Sequence, residues 1–337
     1  MKNIVISVII PVLKINDFVL RENLPAHQKL NYKDFEVIIL PNEVTQNERL
    51  LEKKYPFLRL IPTHNITRPA QKRDRGAKEA RGEIFAFIDD DAYPTKNWLE
   101  QATHLLNTAK VDAICGPGIL PGNAEFWEKV FDEILKTWIG SGGLSYRFTP
   151  GKKQFVDDFP SMNFLIKKEV FLRLEGFNSN YWPGEDSKLC EDLVYKLKGK
   201  ILYSPDVKIY HHRRNKLLPY LKQHGQYGFH RGAFLAHGDR NSRHLCYLAP
   251  TLFFLYLTLL PFVLFILHSI PYMWLFYVPL ISYIILLSTI FLSASKNTNS
   301  LKIACSSTIV LFLMHVVYGV KFINGFIVGV AKKEKIY

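Results

Sequence analysis

From Leu245 onward the chain carries two charge-free stretches in quick succession, LCYLAPTLFFLYLTLLPFVLFIL (245–267) and YMWLFYVPLISYIILLSTIFL (272–292). Each is long enough to cross a bilayer, which takes ~20 apolar residues in a helix. In lipid every backbone N–H and C=O must pair inside the protein, so such stretches are committed to helix. Two of them back to back are rare in soluble folds, and a buried-core reading is improbable. A third segment near 303–330 is interrupted by Lys321. Its first part, IACSSTIVLFLMHVVYGV (303–320), is charge-free and nearly long enough, so three spans are expected. The short link HSIP (268–271) makes the first two a tight hairpin, and SASKNTNSLK (293–302) returns to the starting side. A full third span puts Lys332, Lys333 and Lys335 on the far side, against the positive-inside tendency. A shallow or re-entrant third segment stays open for that reason.

Up to about residue 244 the chain alternates apolar and charged segments, as a soluble domain does. The formal net charge of +13 is concentrated just before the first span. Lys208, Arg213, Arg214, Lys216, Lys222, Arg231, Arg240 and Arg243 lie there against Asp206 and Asp239. Six of the eleven histidines (211, 212, 224, 230, 237, 244) join them. A basic segment in this place attracts anionic lipid headgroups and marks the cytoplasmic side. It also suits a phosphorylated substrate. Nucleic-acid binding is disfavoured, because the charge abuts a span and no nucleic-acid module accompanies it. The expectation is a multi-pass cell-membrane protein with its soluble part in the cytoplasm. The stretch 217–238 mixes apolar residues with cations and suits a helix lying in the membrane interface. Four cysteines (115, 190, 246, 305) show no metal spacing, which fits a reduced compartment. The apolar run at 4–13 precedes Asp17, Arg21 and Glu22 without a small-residue cleavage site, and reads as a first strand rather than a signal peptide.

The soluble part reads as strands alternating with helices. Strands are expected at 5–12, 35–40, 58–62, 84–88, 111–118 and 161–166, with a final strand pair over 200–212. Helices are expected at 17–30 (broken by Pro25), 47–55, 70–82, 96–109, 167–174 and 186–199. Such alternation implies a Rossmann-like, mostly parallel sheet with right-handed crossovers. Residues 119–160 are rich in glycine and aromatics and show few periodic signals.

The chemistry concentrates where IFAFI (84–88) ends in Asp89, Asp90 and Asp91, followed by the turn residue Pro94. An apolar run stopped so abruptly is a buried strand, and the acids fall at its C-terminal tip, where open α/β sheets bind ligands. Three adjacent anions repel one another unless a cation intervenes. Mg²⁺ typically divides its ligands between one or two carboxylates and substrate phosphates, so a metal–diphosphate site is predicted. A solvated acidic turn is the plainer alternative.

These blocks in order, VISVIIPV, FEVIIL, KRDRGAKEARGEIFAFIDDDAYP, SMNFLIKKEVFLRLEGFN, YWPGEDSKLCEDL and ILYSPDVKIYHHRR, resemble a family 2 glycosyltransferase of the GT-A fold over about residues 5–212. The resemblance implies a GT-A domain (1–212), a basic interfacial segment (213–244) and a membrane segment (245–330). It implies a nucleotide-sugar donor, Mg²⁺ or Mn²⁺, and inversion at the anomeric carbon. Asp89 and Asp91 match the family's DxD metal motif, and Asp90 serves the ribose or the structure. Glu185-Asp186 matches the ED motif, with Asp186 the expected general base. A helix N-cap is the structural alternative for Asp186, and both roles are compatible. Glu191-Asp192 is a second, less favoured pair. Pro11 and the cations Lys72 and Arg73 fall in donor-binding positions, although an exposed basic helix face explains the cations equally well. Asp74 completes their block. Asn42 and Glu43 stand where the family has a base-reading aspartate. Of the adjacent His211 and His212, one is a candidate metal ligand, and His212 is taken here; imidazole suits Mn²⁺ better than Mg²⁺.

QYGFHRG (226–232) lacks the Gln-x-x-Arg-Trp pattern of processive relatives, so polymer secretion is disfavoured. The expected activity is transfer to a membrane-associated, lipid-linked acceptor in cell-surface glycan synthesis, with membrane lipids as partners. Transfer to a polyprenyl phosphate itself is one alternative. An inactive membrane-anchored binding protein is the other, and the Pro41-Asn42-Glu43 departure is its best support.

Overall fold

The computed structural model describes residues 5–177, 184–266 and 272–331. The HSIP link (268–271) and Lys332, Lys333 and Lys335 therefore lie outside the described residues. The chain forms two compact units: Met1–Pro121 with Tyr146–His212, and Gly122–Ser145 with Arg213–Tyr337. The boundaries expected from sequence place residues 122–145 with the first of these instead.

The first unit runs through β1 (Ile6–Pro11), α1 (Leu24–Gln28), β2 (Phe35–Leu40), α2 (Gln46–Lys54), β3 (Leu58–Leu60), α3 (Pro69–Glu79), β4 (Ile84–Ile88), β5 (Ala92–Pro94), α4 (Trp98–Thr108), β6 (Ala113–Cys115) and β7 (Gly118–Ile119). The chain leaves for α5 (Phe126–Leu135) and α6 (Trp138–Ser141) of the second unit. It returns for β8 (Gln154–Val156), β9 (Asn163–Lys167), α7 (Lys168–Arg173), α8 (Glu185–Glu191), β10 (Ile201–Tyr203) and β11 (Ile209–His211).

Eight strands form one sheet in the order β3-β2-β1-β4-β9-β6-β10-β8. β1 is parallel to β2 and β4, whereas β9 is antiparallel to both of its neighbours, β4 and β6. Every residue of β1, β2 and β4 is buried, because helices and loops cover both faces. That two-sided cover is why these strands read as unbroken apolar runs. The chain moves outward from β1 to β2 and β3, then comes back to place β4 on the other side of β1. The C-terminal ends of β1 and β4 thus flank a topological switch point, the usual place for a ligand crevice.

A second sheet, β5-β11-β7, lies beyond β4 in the chain. The expected strand pair over 200–212 is divided: β10 joins the large sheet and β11 the small one. Asn163 holds this region together. Its buried amide donates to the Gly116 carbonyl (2.8 Å) and the Val207 carbonyl (2.7 Å) and accepts from the Trp98 indole (2.8 Å). Gly116 is required at this junction, since a Cβ there would sit 1.9 Å from the Val207 carbonyl oxygen.

The second unit continues with α9 (Leu217–His237), α10 (Leu245–Ile266), α11 (Val278–Thr298) and α12 (Leu301–Ala331). α9 ends where Gly238 takes a left-handed conformation, the common helix stop. α10, α11 and α12 are long and apolar enough to cross a membrane. α11 and α12 are joined by a tight turn at Asn299, also left-handed.

Candidate active site

The site is built at the switch point of the first unit. Asp89, Asp90 and Asp91 fill the gap between the end of β4 and the start of β5. β11 pairs antiparallel with β5 so that His211 lies opposite Ala92. That register carries the His211 ring to Asp91, with Nε2 3.1 Å from Oδ1. Ligand atoms of Asp89, Asp91 and His211 lie within 4.8 Å of one another. Two carboxylates and an imidazole are a donor set that Mn²⁺ accepts readily and Mg²⁺ less so.

His212, the histidine taken from the sequence as the ligand, turns elsewhere. Successive side chains of a strand point to opposite faces. Its Nε2 sits 2.8 Å from Glu22 Oε2, and its ring lies 4.5 Å from that of Phe18. The grouping with Asp89 and Asp91 thus contains His211 instead of His212.

Lys72 and Arg73 do not form an exposed basic face. Both are buried on α3. Arg73 donates to Asp89 Oδ1 (2.7 Å) and to Glu185 Oε1 (3.3 Å). One guanidinium thereby joins the acid triplet to the Glu185-Asp186 pair, and its face lies over the Phe177 ring. Lys72 reaches between β1 and β2. It donates to the Val12 carbonyl, to the Leu40 carbonyl (3.0 Å) and to Asn42 Oδ1 (2.6 Å). Burial lowers its pKa to about 8, with the charge of Asp90 opposing the shift. Asp74 accepts from the Phe177 backbone N–H (2.9 Å) and supports the chain that leads toward α8.

Asp90 accepts from Asn16 Nδ2 (2.7 Å), a partner that no sequence pattern singles out. Pro11 ends β1 opposite Leu40 of β2. Asn42 follows β2, held by Lys72 and by its own bond to the His64 carbonyl. Glu43 is exposed, 3.5 Å from His64. Asn42 is thus half-buried, whereas Glu43 faces solvent.

Gly184, with φ of 127°, occupies the N-cap of α8, so Asp186 is the helix's second residue rather than its cap. Asp186 Oδ1 accepts from the Ser187 N–H (2.9 Å) and Oδ2 from the Ser161 N–H (3.3 Å). Its pKa is raised to about 7, first by burial, then by the negative charges of Glu185 and Asp158, against the pull of Arg73. A carboxyl tuned to that range is fit for general-base work near neutral pH. Glu191 and Asp192 are placed differently: Asp192 pairs with Lys188 (3.5 Å) and Lys196 (2.8 Å) on the helix itself. Ser161, Asp158 and Asn16 were missed from sequence because their role comes from tertiary placement.

Residues 7–174 match the model of Glycosyl transferase family 2. The chain carries a family 2 glycosyltransferase domain. Its enzyme class is transfer of a sugar from a nucleotide sugar. Among solved structures, the mannosyltransferase PcManGT of Pyrobaculum calidifontis, in complex with GDP-Man and Mn²⁺, is similar over 98% of this chain and 88% of its own, at 16% identity and a TM-score of 0.53. The likeness confirms the GT-A-like fold followed by long apolar helices. TarS of S. aureus, solved with UDP-GlcNAc, is similar over 66% of this chain and 65% of its own (17% identity, TM-score 0.46). GalNAc-T7, solved with UDP, GalNAc and Mn²⁺, is similar over 69% of this chain and 51% of its own (13% identity, TM-score 0.49). No curated protein matches the sequence.

Proposed function

We propose that this family 2 glycosyltransferase moves a sugar from its nucleotide donor to a hydroxyl of a membrane-associated, lipid-linked acceptor, with inversion, on the cytoplasmic face of the membrane. The observation that carries the reading is the Arg73 bridge, which links Asp89 after β4 to Glu185 beside Asp186. Asp89, Asp91 and His211 would hold Mn²⁺ or Mg²⁺. When bound, such a cation neutralises the charge that develops on the leaving diphosphate. The Mn²⁺ in the PcManGT structure agrees with that assignment.

The rest falls to the chain's own side chains. Pro11, Asn42 and Lys72 line the ends of β1 and β2 and would receive the nucleoside, while Asp90 would serve its ribose. Asp186 takes the proton of the acceptor hydroxyl as oxygen attacks the anomeric carbon in line with the departing diphosphate. Glu185 is held by Arg73 and keeps Asp186 basic by its charge. A base with a pKa near 7 is matched to a hydroxyl nucleophile; a lipid phosphate is already anionic and has no such need. The three long apolar helices on the same chain suggest membrane association, which favours an acceptor found at the membrane.

Membranes containing the protein, incubated with a panel of radiolabelled nucleotide sugars and Mn²⁺, are expected to yield label in the organic extract. That label should be linked through a sugar hydroxyl and be absent with Asp186→Asn. A product cleaved by mild acid to release the free labelled sugar would indicate transfer to lipid phosphate and overturn the hydroxyl assignment.

A further inference from the structure

The acid turn after β4 divides its carboxylates between two sides. The Ala92 N–H donates to the Asp89 carbonyl (3.2 Å), so residues 89–92 form one tight turn. Asp89 and Asp91 converge with His211. Asp90, between them in sequence, is held by Asn16, whose Nδ2 donates to Asp90 Oδ2 at 2.7 Å. We propose that Asn16 is a positioning residue for the donor: its amide turns Asp90 out of the metal group and presents that carboxylate to a ribose hydroxyl. This deepens the donor site proposed above and rests on that reading.

Asn16 is itself locked. Its Oδ1 accepts from the Val19 N–H (2.9 Å), and its backbone carbonyl accepts from the Leu20 N–H (3.1 Å). With the amide oxygen spent on this cap, the group left to face Asp90 is the NH₂, which can only donate. A side chain fixed in this way can aim another, because its own rotamer costs nothing further to hold.

The segment that carries Asn16 is tied down at both ends. Toward β2, the Asn42 N–H donates to the Leu13 carbonyl (3.0 Å) and Lys72 donates to the Val12 carbonyl. Toward the small sheet, Glu22 reaches His212 (2.8 Å), and the fully buried Asn23 donates to the Ala92 carbonyl (2.7 Å). The last bond follows from the strand ladder. The His212 N–H donates to the Asp91 carbonyl (3.0 Å), so Asp91 and His212 form a hydrogen-bonded pair and the neighbouring Ala92 and His211 a non-bonded one. The Ala92 carbonyl therefore points away from β11, and Asn23 satisfies it. One segment thus grips the acid turn twice, at the side chain of Asp90 and at the carbonyl of Ala92.

The choice of a neutral donor matters. Arg73 binds Asp89, and the His211 imidazole sits on Asp91. A lysine or arginine at position 16 would pair with Asp90 and offset its charge. An amide holds the carboxylate and leaves it ionised, and an ionised acceptor makes the stronger hydrogen bond to a hydroxyl. A carboxylate accepts at two oxygens, so a donor on Oδ2 sets the plane of the group without exhausting it. The charge of Asp90 is also felt by Lys72, which bonds the Leu40 carbonyl (3.0 Å) and Asn42 (2.6 Å) at the end of β2. That is the side proposed for the nucleoside. The ligand this arrangement suits carries a diphosphate for the metal and, a few bonds away, a free sugar hydroxyl for Asp90.

The test is a double-mutant cycle on the full-length protein in detergent. GDP, UDP and ADP are titrated with saturating Mn²⁺, and the tightest is carried forward. Asn16→Ser keeps an oxygen to cap Val19 but is too short to reach Asp90. It is expected to weaken that nucleotide roughly tenfold or more, as loss of a hydrogen bond to a charged group does. Affinity for Mn²⁺ alone, read by electron paramagnetic resonance, should stay as in the wild type. Asp90→Ala should weaken the nucleotide by a similar factor, and adding Asn16→Ser to it should cost little more. The wild type should prefer the nucleotide to its deoxyribose counterpart, and Asn16→Ser should narrow that preference. Fully additive losses, an unchanged preference or wild-type nucleotide affinity in Asn16→Ser would each overturn the proposal. A parallel loss of Mn²⁺ affinity in Asn16→Ser would overturn it too, by marking a merely structural role. Wild-type nucleotide affinity in Asp90→Ala would instead remove the ribose role of Asp90, and binding of none of the three nucleotides would sink the donor site itself.

Discussion

Asp91 and His211 come together because β5 and β11 pair in a register that sets residue 211 opposite residue 92. Asp91→Ala should abolish transfer and cost metal-dependent donor affinity; unchanged affinity by calorimetry in the presence of Mn²⁺ would refute the metal assignment. His211→Ala should raise the Mn²⁺ concentration needed for half-maximal activity, whereas His212→Ala should leave it in place, since His212 engages Glu22. The acids themselves were legible in the sequence, being polar residues stopped at the tip of an apolar strand. Choosing between two adjacent histidines was not, because it depends on the β5–β11 register and on the sheet face that each side chain takes. Asp186 gives a second test at this scale. Asp186→Asn keeps the shape but cannot take a proton, so donor binding should persist while turnover falls by ~10²–10⁴. The carboxylate is the working form and its pKa is about 7, so activity should rise with pH through that region and flatten above it. A pH profile of kcat that is flat between 6 and 8 would argue against this residue as the base.

At the scale of elements, the strongly patterned segments were readable and several of the short ones were not. β1, β2 and β4 are continuous apolar runs, and the sequence places them within a residue or two. β5 and β8 are three residues long, too short for a period to show. α5 was missed although its apolar residues at 126, 127, 130, 131, 134 and 135 keep helical spacing; beside that stripe it also buries Glu128, Asp132 and Glu133. Those acids are tolerated because Arg213, Lys136 and Asn297 answer them from elsewhere in the chain. The α9–α12 contact is likewise invisible until the glycines are seen facing backbone. Gly232→Val would put a Cβ 2.1 Å from a carbonyl oxygen of α12. Overpacking of this kind typically costs about 1–3 kcal/mol, so the melting temperature in detergent should drop clearly. Gly122→Ala, where nothing lies within 4 Å, serves as the control and should change little. Equal melting temperatures for the two variants would show that the helix contact is not under the constraint described.

Across the whole molecule the three long apolar helices were legible, because charge and hydropathy change abruptly near residue 244. The excursion of residues 122–145 into the second unit was not, since a chain segment's partners are set by folding rather than by its neighbours in sequence. Global stability offers a last prediction. His27 is fully buried among Phe35, Phe57 and Trp98. One ring nitrogen meets the Asn23 carbonyl at 2.9 Å, and the other has no hydrogen-bond partner. Burial lowers its pKa from 6.5 to about 4, with the Asn23 carbonyl pulling weakly the other way. The folded state therefore holds His27 neutral, while the unfolded chain takes up a proton near pH 6.5. The contribution is complete above that pH and is lost as pH falls toward 4, amounting to about 2 kcal/mol already at pH 5. Between pH 7.5 and 5 the first unit should lose several degrees of melting temperature. His27→Leu, which cannot titrate, should flatten that dependence even if it lowers stability overall. An unchanged slope in the variant would assign the acid sensitivity to the carboxylates around Arg73 instead.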